Sequence, residues 1–207
     1  LGMHLIDRTD AFTLVGADAR RGKLTLFAAE GPRERAALEH VALRVNNLEQ
    51  ALAELPDSLD VDRRRQGEAY FELGEGIVFG LIEAETDLDY DLDHVALRSA
   101  DPQATASEYG SLGFRPAAPG RSACPRVEVG GAWIEFQPGE PGASEKPLLN
   151  HLAVLVDSTE EHIAAAQDLG VEIDDVVDAP NTLAVFLWGP ERVRIEYVEH
   201  KPTFSLT

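Results

Sequence analysis

One short β-type sequence with a single histidine occurs three times in this chain, and this repeat restricts the fold more than any other feature. The copies are residues 38–44 (LEHVALR), 92–98 (LDHVALR) and 149–155 (LNHLAVL). Their histidines recur about every 55 residues, which is the period of a folded supersecondary unit rather than of a helical heptad. The chain is therefore predicted to consist of duplicated modules, each carrying a histidine at a fixed position.

The sequence after each copy repeats as well. A helical pattern follows at residues 47–55, 101–112 and 158–169, and short β runs separated by glycine turns come next. Asp101 and Ser158 are suitable N-cap residues, and Gly113 and Gly170 are typical of helix C-termini. Each module is therefore predicted to form a strand, a helix and about three further strands.

The module boundaries predict how the chain is divided. Three full modules span residues 37–86, 91–140 and 148–200, and residues 1–33 match only the later strands of a module. We expect the front of that first module to lie outside this sequence. With 207 residues, of which 44% are hydrophobic, the simplest arrangement is two domains of two modules, residues 1–86 and 87–207.

The charge of the chain excludes several classes of partner. With a formal net charge of -19, the protein repels phosphate backbones and anionic lipids, so neither nucleic acid nor a membrane is an expected partner. Its only cysteine, Cys124, cannot form an internal disulfide, which favours a cytoplasmic location. A small-molecule substrate is the expected partner, and a homo-oligomer is left open.

Two of the repeated histidines have small neighbours on their own side of the strand. Because alternate side chains of a strand share a face, His94 lies on the face of Ala96, and His151 on the face of Ala153. These small residues leave space beside each imidazole. We therefore expect both strands to be covered by a helix on one face and open to a cavity on the other.

Carboxylates stand at matching positions in the last strands of two modules. Glu135 and Glu196 are equivalent when the modules are aligned on their glycine turns, and Gly80 and Leu26 stand there in the other two. A carboxylate between apolar neighbours is costly to bury unless a cation or a strong donor compensates. Two imidazoles with one or two carboxylates are a typical ligand set for Fe(II), Mn(II), Ni(II), Co(II) or Zn(II). The expected ligands in one shared cavity are His94, Glu135, His151 and Glu196.

The repeated opening LDHVALR and the closing sequence RIEY at residues 194–197 resemble the vicinal oxygen chelate superfamily. That superfamily includes glyoxalase I, bleomycin and fosfomycin resistance proteins, methylmalonyl-CoA epimerase and extradiol dioxygenases. The resemblance covers nearly the whole chain. It implies an α+β fold in which paired βαβββ modules form cup-shaped mixed sheets with helices on the outside. It also implies a divalent metal ion that chelates two adjacent substrate oxygens. Fe(II) and Mn(II) are favoured over Ni(II), Co(II) and Zn(II) for this ion.

The four-module order is similar to that of extradiol dioxygenases, whose N-terminal module pair is catalytically silent. On that pattern His94, His151 and Glu196 are the metal ligands, and His40 is a packed or hydrogen-bonded relic. The resemblance thus implies a dioxygenase-like metalloenzyme. Two departures count against ring cleavage, because residues 186–192 keep only the proline of the family signature and residues 136–150 contain no acid/base histidine.

Two alternatives remain open. The order His94, Glu135, His151, Glu196 is similar to that of glyoxalase- or epimerase-type enzymes, in which Glu135 or Glu196 would serve as the catalytic base. Resistance-type members of the superfamily instead bind a drug without a metal. The aromatic residues that could line such a pocket are Trp133, Phe136, Phe186 and Trp188.

Overall fold

The computed structural model describes residues 3–17 and 22–204. The first module forms a three-stranded sheet of β1 (His4–Arg8), β2 (Phe12–Gly16) and β3 (Leu24–Phe27). The second module comprises β4 (Leu38–Val45), α1 (Leu48–Ala53), β5 (Asp62–Arg65), β6 (Glu68–Glu72) and β7 (Val78–Glu83). The third comprises β8 (Asp91–Ser99), α2 (Pro102–Ser111), β9 (Arg115–Ala117), β10 (Arg126–Val129) and β11 (Ala132–Pro138). The fourth comprises β12 (Leu152–Leu155), α3 (Thr159–Leu169), β13 (Ile173–Asp178), β14 (Thr182–Trp188), a 3-10 turn (Pro190–Arg192) and β15 (Arg194–His200). The predicted α+β class and the strand, helix, three-strand modules are confirmed.

The predicted helix signals act as expected. The Asp101 side chain accepts a hydrogen bond from the backbone N–H of Ala104, and the Ser158 side chain accepts one from Glu161. Each satisfies a donor that the first helical turn leaves without a partner. Gly170 ends α3 in the left-handed conformation, with φ of 67°, which a residue without Cβ adopts at little cost.

The second and third modules share one eight-stranded sheet in the order β5-β6-β7-β4-β8-β11-β10-β9. Within each module the first strand lies parallel to the last, as β4 does to β7 and β8 to β11. The helix that follows the first strand provides the crossover that such parallel pairing requires. At the centre, β4 and β8 pair antiparallel and join the two modules.

The predicted division into residues 1–86 and 87–207 cuts across this sheet. The boundary at residue 86 falls between β7 and β8, which belong to the same sheet. The fourth module forms its own sheet, in the order β12-β15-β14-β13. A sequence repeat identifies equivalent segments, but it carries no information on which copies pair. Here β4 and β8, each buried along most of its length, form the joining ladder.

The helices cover one face of the large sheet. In α2, Tyr109 is completely buried and its ring lies 5.2 Å from that of Phe114 and 5.0 Å from that of Phe136, measured between centroids. Such aromatic pairs contribute about 0.5–1.5 kcal/mol beyond their burial. The fourth module attaches to this core, where the Tyr197 hydroxyl donates to the Leu112 carbonyl at 2.7 Å. The opposite face of the large sheet is thereby left to enclose a cavity.

The chain carries a large excess of acid, with 37 Asp and Glu against 18 Lys and Arg. Self-repulsion of this charge destabilises the compact state, and salt screens it by reducing the Debye length from about 10 Å at 0.1 M to about 3 Å at 1 M. We expect the Tm to rise by several degrees over that range of NaCl, about 2–4 °C for each kcal/mol of repulsion removed. Scanning calorimetry measures this, and a Tm that is flat or falls with salt would contradict it.

No helix in the described part of the chain is long and apolar enough to cross a membrane.

Candidate metal centre

A cavity of about 700 Å³ lies against the face of the large sheet opposite the helices. Side chains on β4, β5, β6, β7, β8, β10 and β11 and the loop between β9 and β10 line it. The two edges of the sheet are bridged across this cavity, because Arg65 at the end of β5 donates to the Arg121 carbonyl at 2.5 Å, and Arg121 donates to the Glu83 carbonyl at 3.1 Å. The sheet is therefore curled into a cup, as the family resemblance implied.

Two of the repeated histidines meet at the centre of this cup. The Nε2 atoms of His40 and His94 are 2.9 Å apart, and both residues are buried. The register of β4 and β8 places His40 opposite Ala96 and Ala42 opposite His94, so the two imidazoles face each other diagonally across the central strand pair. His40 is hydrogen-bonded, as predicted, but its partner is a candidate ligand. His40 lines the same cavity as His94.

Asp93 fixes the orientation of His94. Its Oδ1 lies 2.6 Å from His94 Nδ1, and Arg44 Nε lies 3.5 Å from Oδ2 of the same carboxylate. We assign the proton of His94 to Nδ1, where it donates to Asp93, because a carboxylate can only accept. Nε2 of His94 is then a free acceptor for the Nε2–H of His40. In this arrangement the lone pair of His94 Nε2 is engaged by His40, and the unprotonated nitrogen of His40 is the buried Nδ1.

Burial keeps His40 neutral. It lowers the pKa of His40 to about 3, and the neighbouring His94 and the positive charges of Arg64 and Arg35 act in the same direction. Nδ1 of His40 is buried and has no hydrogen-bond partner among the residues that the structure describes. A neutral imidazole is the form that binds a metal ion.

The neutrality of His40 predicts a dependence of stability on pH in the metal-free protein. The unfolded chain takes up a proton near pH 6.5, but folded His40 does so only at about 3, so this contribution is complete above pH 6.5 and is lost as the pH falls. The free energy of unfolding should decrease by up to about 1.4 kcal/mol per pH unit within this window. Urea titrations of wild type and His40→Gln at several pH values isolate this contribution. Equal slopes for the two proteins would contradict it.

Glu135 reaches the same cavity from β11, the parallel neighbour of β8. It is 5% exposed, and its carboxylate accepts hydrogen bonds from Ser122 Oγ at 2.6 Å and from Gln137 Nε2 at 2.9 Å. These two neutral donors offset the cost of burying the charge. A buried carboxylate needs either a cation or hydrogen-bond donors, and Glu135 has two such donors.

Gly80 stands where a second carboxylate would stand. Ala42, two residues after His40, pairs with Gly80, just as Ala96, two residues after His94, pairs with Glu135. A Cβ on Gly80 would lie 2.6 Å from Cε1 of Tyr70, because the tyrosine ring occupies this position. Burial raises the pKa of Tyr70, as do the charges of Glu68 and Glu135, so its hydroxyl stays protonated.

The other two predicted ligands lie in a different part of the protein. His151 on the approach to β12 and Glu196 on β15 form their own pair, with His151 Nε2 3.2 Å from Glu196 Oε2. The rings of Phe27 and Phe186 pack against this imidazole, at centroid distances of 5.8 and 5.6 Å. Neither His151 nor Glu196 lines the cavity of His94. The structure thus places the four expected ligands in two separate pairs, because the third module shares its sheet with the second rather than with the fourth.

Within residues 3–17 and 22–204, no three His, Cys, Asp or Glu side chains lie close enough together to hold a metal ion in this conformation. The cavity does contain one further buried acid that the sequence analysis did not identify. Glu68 on β6 is 6% exposed, and Arg121 Nη1 lies 4.0 Å from its Oε1. The available signal was its position two residues before Tyr70, which places both side chains on the cavity face of one strand.

Comparison with solved structures supports the fold. A protein from Bacillus subtilis described as a "putative dioxygenase" matches 98% of this chain and 78% of its own, with 15% identity and a TM-score of 0.73. A glyoxalase I mutant from Zea mays matches 96% of this chain and 84% of its own, with 18% identity and a TM-score of 0.73. No protein-family model matches the sequence, and no curated protein does. The chain therefore has the fold of these two structures.

Proposed function

We propose that this protein is a metal-dependent oxidoreductase of the extradiol-dioxygenase type, acting on a small substrate with two adjacent oxygens. A divalent ion, Fe(II) or Mn(II), would be held in the cup by His40, His94 and Glu135. The observation that carries this proposal is the 2.9 Å approach of the two Nε2 atoms inside a cavity that also contains Glu135. The predicted ligands His151 and Glu196 have no part in it.

The donor set suits such an ion. Two imidazoles and one carboxylate with open positions are typical of non-haem Fe(II) sites. Two nitrogens at about 2.0–2.2 Å from one ion and at right angles to each other are about 3 Å apart, close to the spacing of the two imidazoles. Asp93 already holds the outer nitrogen of His94, as carboxylates commonly do for metal-bound histidines.

Two groups must change when the ion binds. Glu135 accepts one hydrogen bond on each oxygen, from Ser122 and Gln137, and loss of either on metal binding would cost about 0.5–1.5 kcal/mol. His40 has to carry its proton on Nδ1, where no described side chain accepts it. These two costs lower the affinity for metal, whereas the neutral state of His40 raises it.

The residue at position 80 favours dioxygenase-type over glyoxalase-type chemistry. A glyoxalase-type site requires a second carboxylate at the place of Gly80, where the ring of Tyr70 lies. A bound metal would supply the positive charge that lets two adjacent substrate oxygens bind and deprotonate. The remaining steps then fall to groups in the cup that can move protons.

Glu68 and Tyr70 can supply the proton transfer that the sequence analysis found missing. The Glu68 carboxylate would accept the proton released by a substrate hydroxyl, and the protonated Tyr70 hydroxyl would donate a hydrogen bond to a substrate oxygen. A positioned base of this kind contributes about 10²- to 10⁴-fold in rate. The base is thus assigned to β6 rather than to the segment before the fourth module.

The test starts with metal content. Protein purified without oxygen is loaded with Fe(II), Mn(II) or Zn(II), and metal per chain is measured by mass spectrometry before oxygen uptake is followed with catechol. We expect about one ion per chain and a yellow ring-cleavage product, and Glu68→Gln should retain the ion while losing at least about a hundredfold in kcat. Proton exchange beside a chelated carbonyl without oxygen uptake would support the glyoxalase alternative. A protein that binds no metal but still binds small aromatic ligands would support the resistance-type alternative.

A further inference from the structure

We infer that the substrate carries an anionic group, a carboxylate or a phosphate, besides its two adjacent oxygens, and that arginines at the mouth of the cup bind it. This inference rests on the proposed function for the adjacent oxygens. It depends on a contrast in charge, since a protein with a net charge of -19 places four arginines around one cavity. These residues are Arg64, Arg65, Arg121 and Arg126.

Most arginines elsewhere in the protein are already neutralised. Those with a carboxylate within 4.0 Å include Arg35, Arg44, Arg63, Arg98, Arg192 and Arg194. In the described part of the chain, by contrast, Arg65 and Arg126 form no ion pair. Two unpaired guanidinium groups at one cavity of an acidic protein indicate a binding site for an anion.

Arg126 is held in place without losing its charge. Its guanidinium lies 4.4 Å from the centre of the Trp133 ring, and its Nε donates to the Ala118 carbonyl at 2.5 Å. The loop between β9 and β10 packs closely against the guanidinium, since a Cβ on Gly120 would lie 2.7 Å from Arg126 Nη1. A carbonyl oxygen and an aromatic face orient a guanidinium but leave its positive charge and most of its five N–H donors available.

Arg65 and Arg121 extend this positive surface to the opposite edge of the sheet. Arg65 donates to the carbonyl of Arg121, and Arg121 donates to the carbonyls of Glu83 and Gln66. Its one carboxylate contact, with Glu68, is at 4.0 Å, too long for a hydrogen bond. Backbone carbonyls hold both arginines, so their charge remains available to a ligand.

The acids of the cavity do not cancel these charges. Asp93 is engaged by His94 and Arg44 behind the site, and Glu135 would neutralise part of the metal charge. Arg64 pairs with Asp62 at 3.0 Å and Arg121 lies 4.0 Å from Glu68, which leaves Arg65 and Arg126 without a carboxylate partner among the described residues. Guanidinium groups bind carboxylates and phosphates through paired hydrogen bonds, so the mouth of the cup is suited to an anionic substituent on the substrate.

The experiment compares protocatechuate, which is a catechol with a carboxylate, with uncharged methylcatechol. Both are titrated calorimetrically, without oxygen, into Fe(II)-loaded wild-type protein. We expect protocatechuate to bind at least about tenfold more tightly, the scale of one hydrogen bond to a charged group. Arg126→Gln or Arg65→Gln should abolish this preference while methylcatechol affinity is unchanged, and Arg126→Lys should retain part of it.

The matched control is Arg115→Gln, because Arg115 on β9 is exposed and pairs with Glu128 outside the cavity. Its preference for protocatechuate should equal that of wild type. The same titrations with metal-free protein separate the two proposals. A preference that persists without any metal binding supports the arginine site and overturns the metalloenzyme, whereas metal binding with no preference, or with one that survives Arg126→Gln and Arg65→Gln, overturns the arginine site alone.

Discussion

Replacing either His40 or His94 by alanine should remove the metal, whereas His151→Ala should leave it bound. The physical reason is the sheet pairing, which places His40 and His94 in one cavity and His151 against Glu196 in the fourth module. Loss of one of three ligands should weaken metal binding by more than about a hundredfold, since even residues that only support a ligand contribute 10- to 100-fold. Metal per chain after dialysis against a weak chelator measures the effect.

His151→Ala is the matched control, because it removes a repeated histidine from an equivalent strand. Circular dichroism and Tm establish that all three variants are folded, and His94→Gln provides a second, less disruptive variant. Loss of metal in His151→Ala together with retention in His40→Ala would place the site in the C-terminal half and exclude His40 as a ligand.

Gly80→Ala should strongly destabilise the folded protein, because it adds a methyl group to a filled part of the cup. The added Cβ would lie 2.6 Å from Cε1 and 2.9 Å from Cδ1 of Tyr70, and 3.3 Å from the Ala42 Cβ. Because Tyr70 is itself buried beside Ala42 and Ile82, its ring has little room to move. Overpacking of this kind costs about 3 kcal/mol at the upper end of its usual range, which chemical denaturation can measure.

Gly110→Ala provides the comparison for this variant. Gly110 lies in α2, and no atom lies within 4 Å of the Cβ it would gain. Alanine there should stabilise the protein by up to about 1 kcal/mol, through the greater helix propensity of alanine. If Gly80→Ala were as harmless as Gly110→Ala, the Tyr70 ring could not be filling the position of the fourth ligand.

In the three full modules, the sequence predicted the equivalent strand positions correctly. Alignment on glycine turns made Gly80, Glu135 and Glu196 equivalent, and in the structure each pairs with the alanine two residues after a repeated histidine: Ala42, Ala96 and Ala153 respectively. Local signals suffice here, because alternation along a strand and the short turns between strands determine which side chains share a face.

The pairing of modules could not be predicted in the same way. The β4–β8 ladder joins segments far apart in sequence, and the strands that open each module have similar sequences. This pairing brings His40 next to His94. It also brings the arginines to one cavity, because their side chains approach the cup from the two edges of the sheet. These are long-range contacts, which the repeat pattern does not encode.

The central β4–β8 pair also has a consequence for how the protein folds. The β4 and β8 strands can pair only after the long segment between them has closed into a loop. Loop closure lowers the conformational entropy of the chain before the ladder contributes any stabilising contacts, so refolding should be slow for a chain of this size. His40 and His94 approach each other only when that ladder is complete. Metal affinity should therefore appear late in refolding, with the docking of the second module onto the third, and Trp133, which pairs with His94 in the sheet, can report that step by fluorescence.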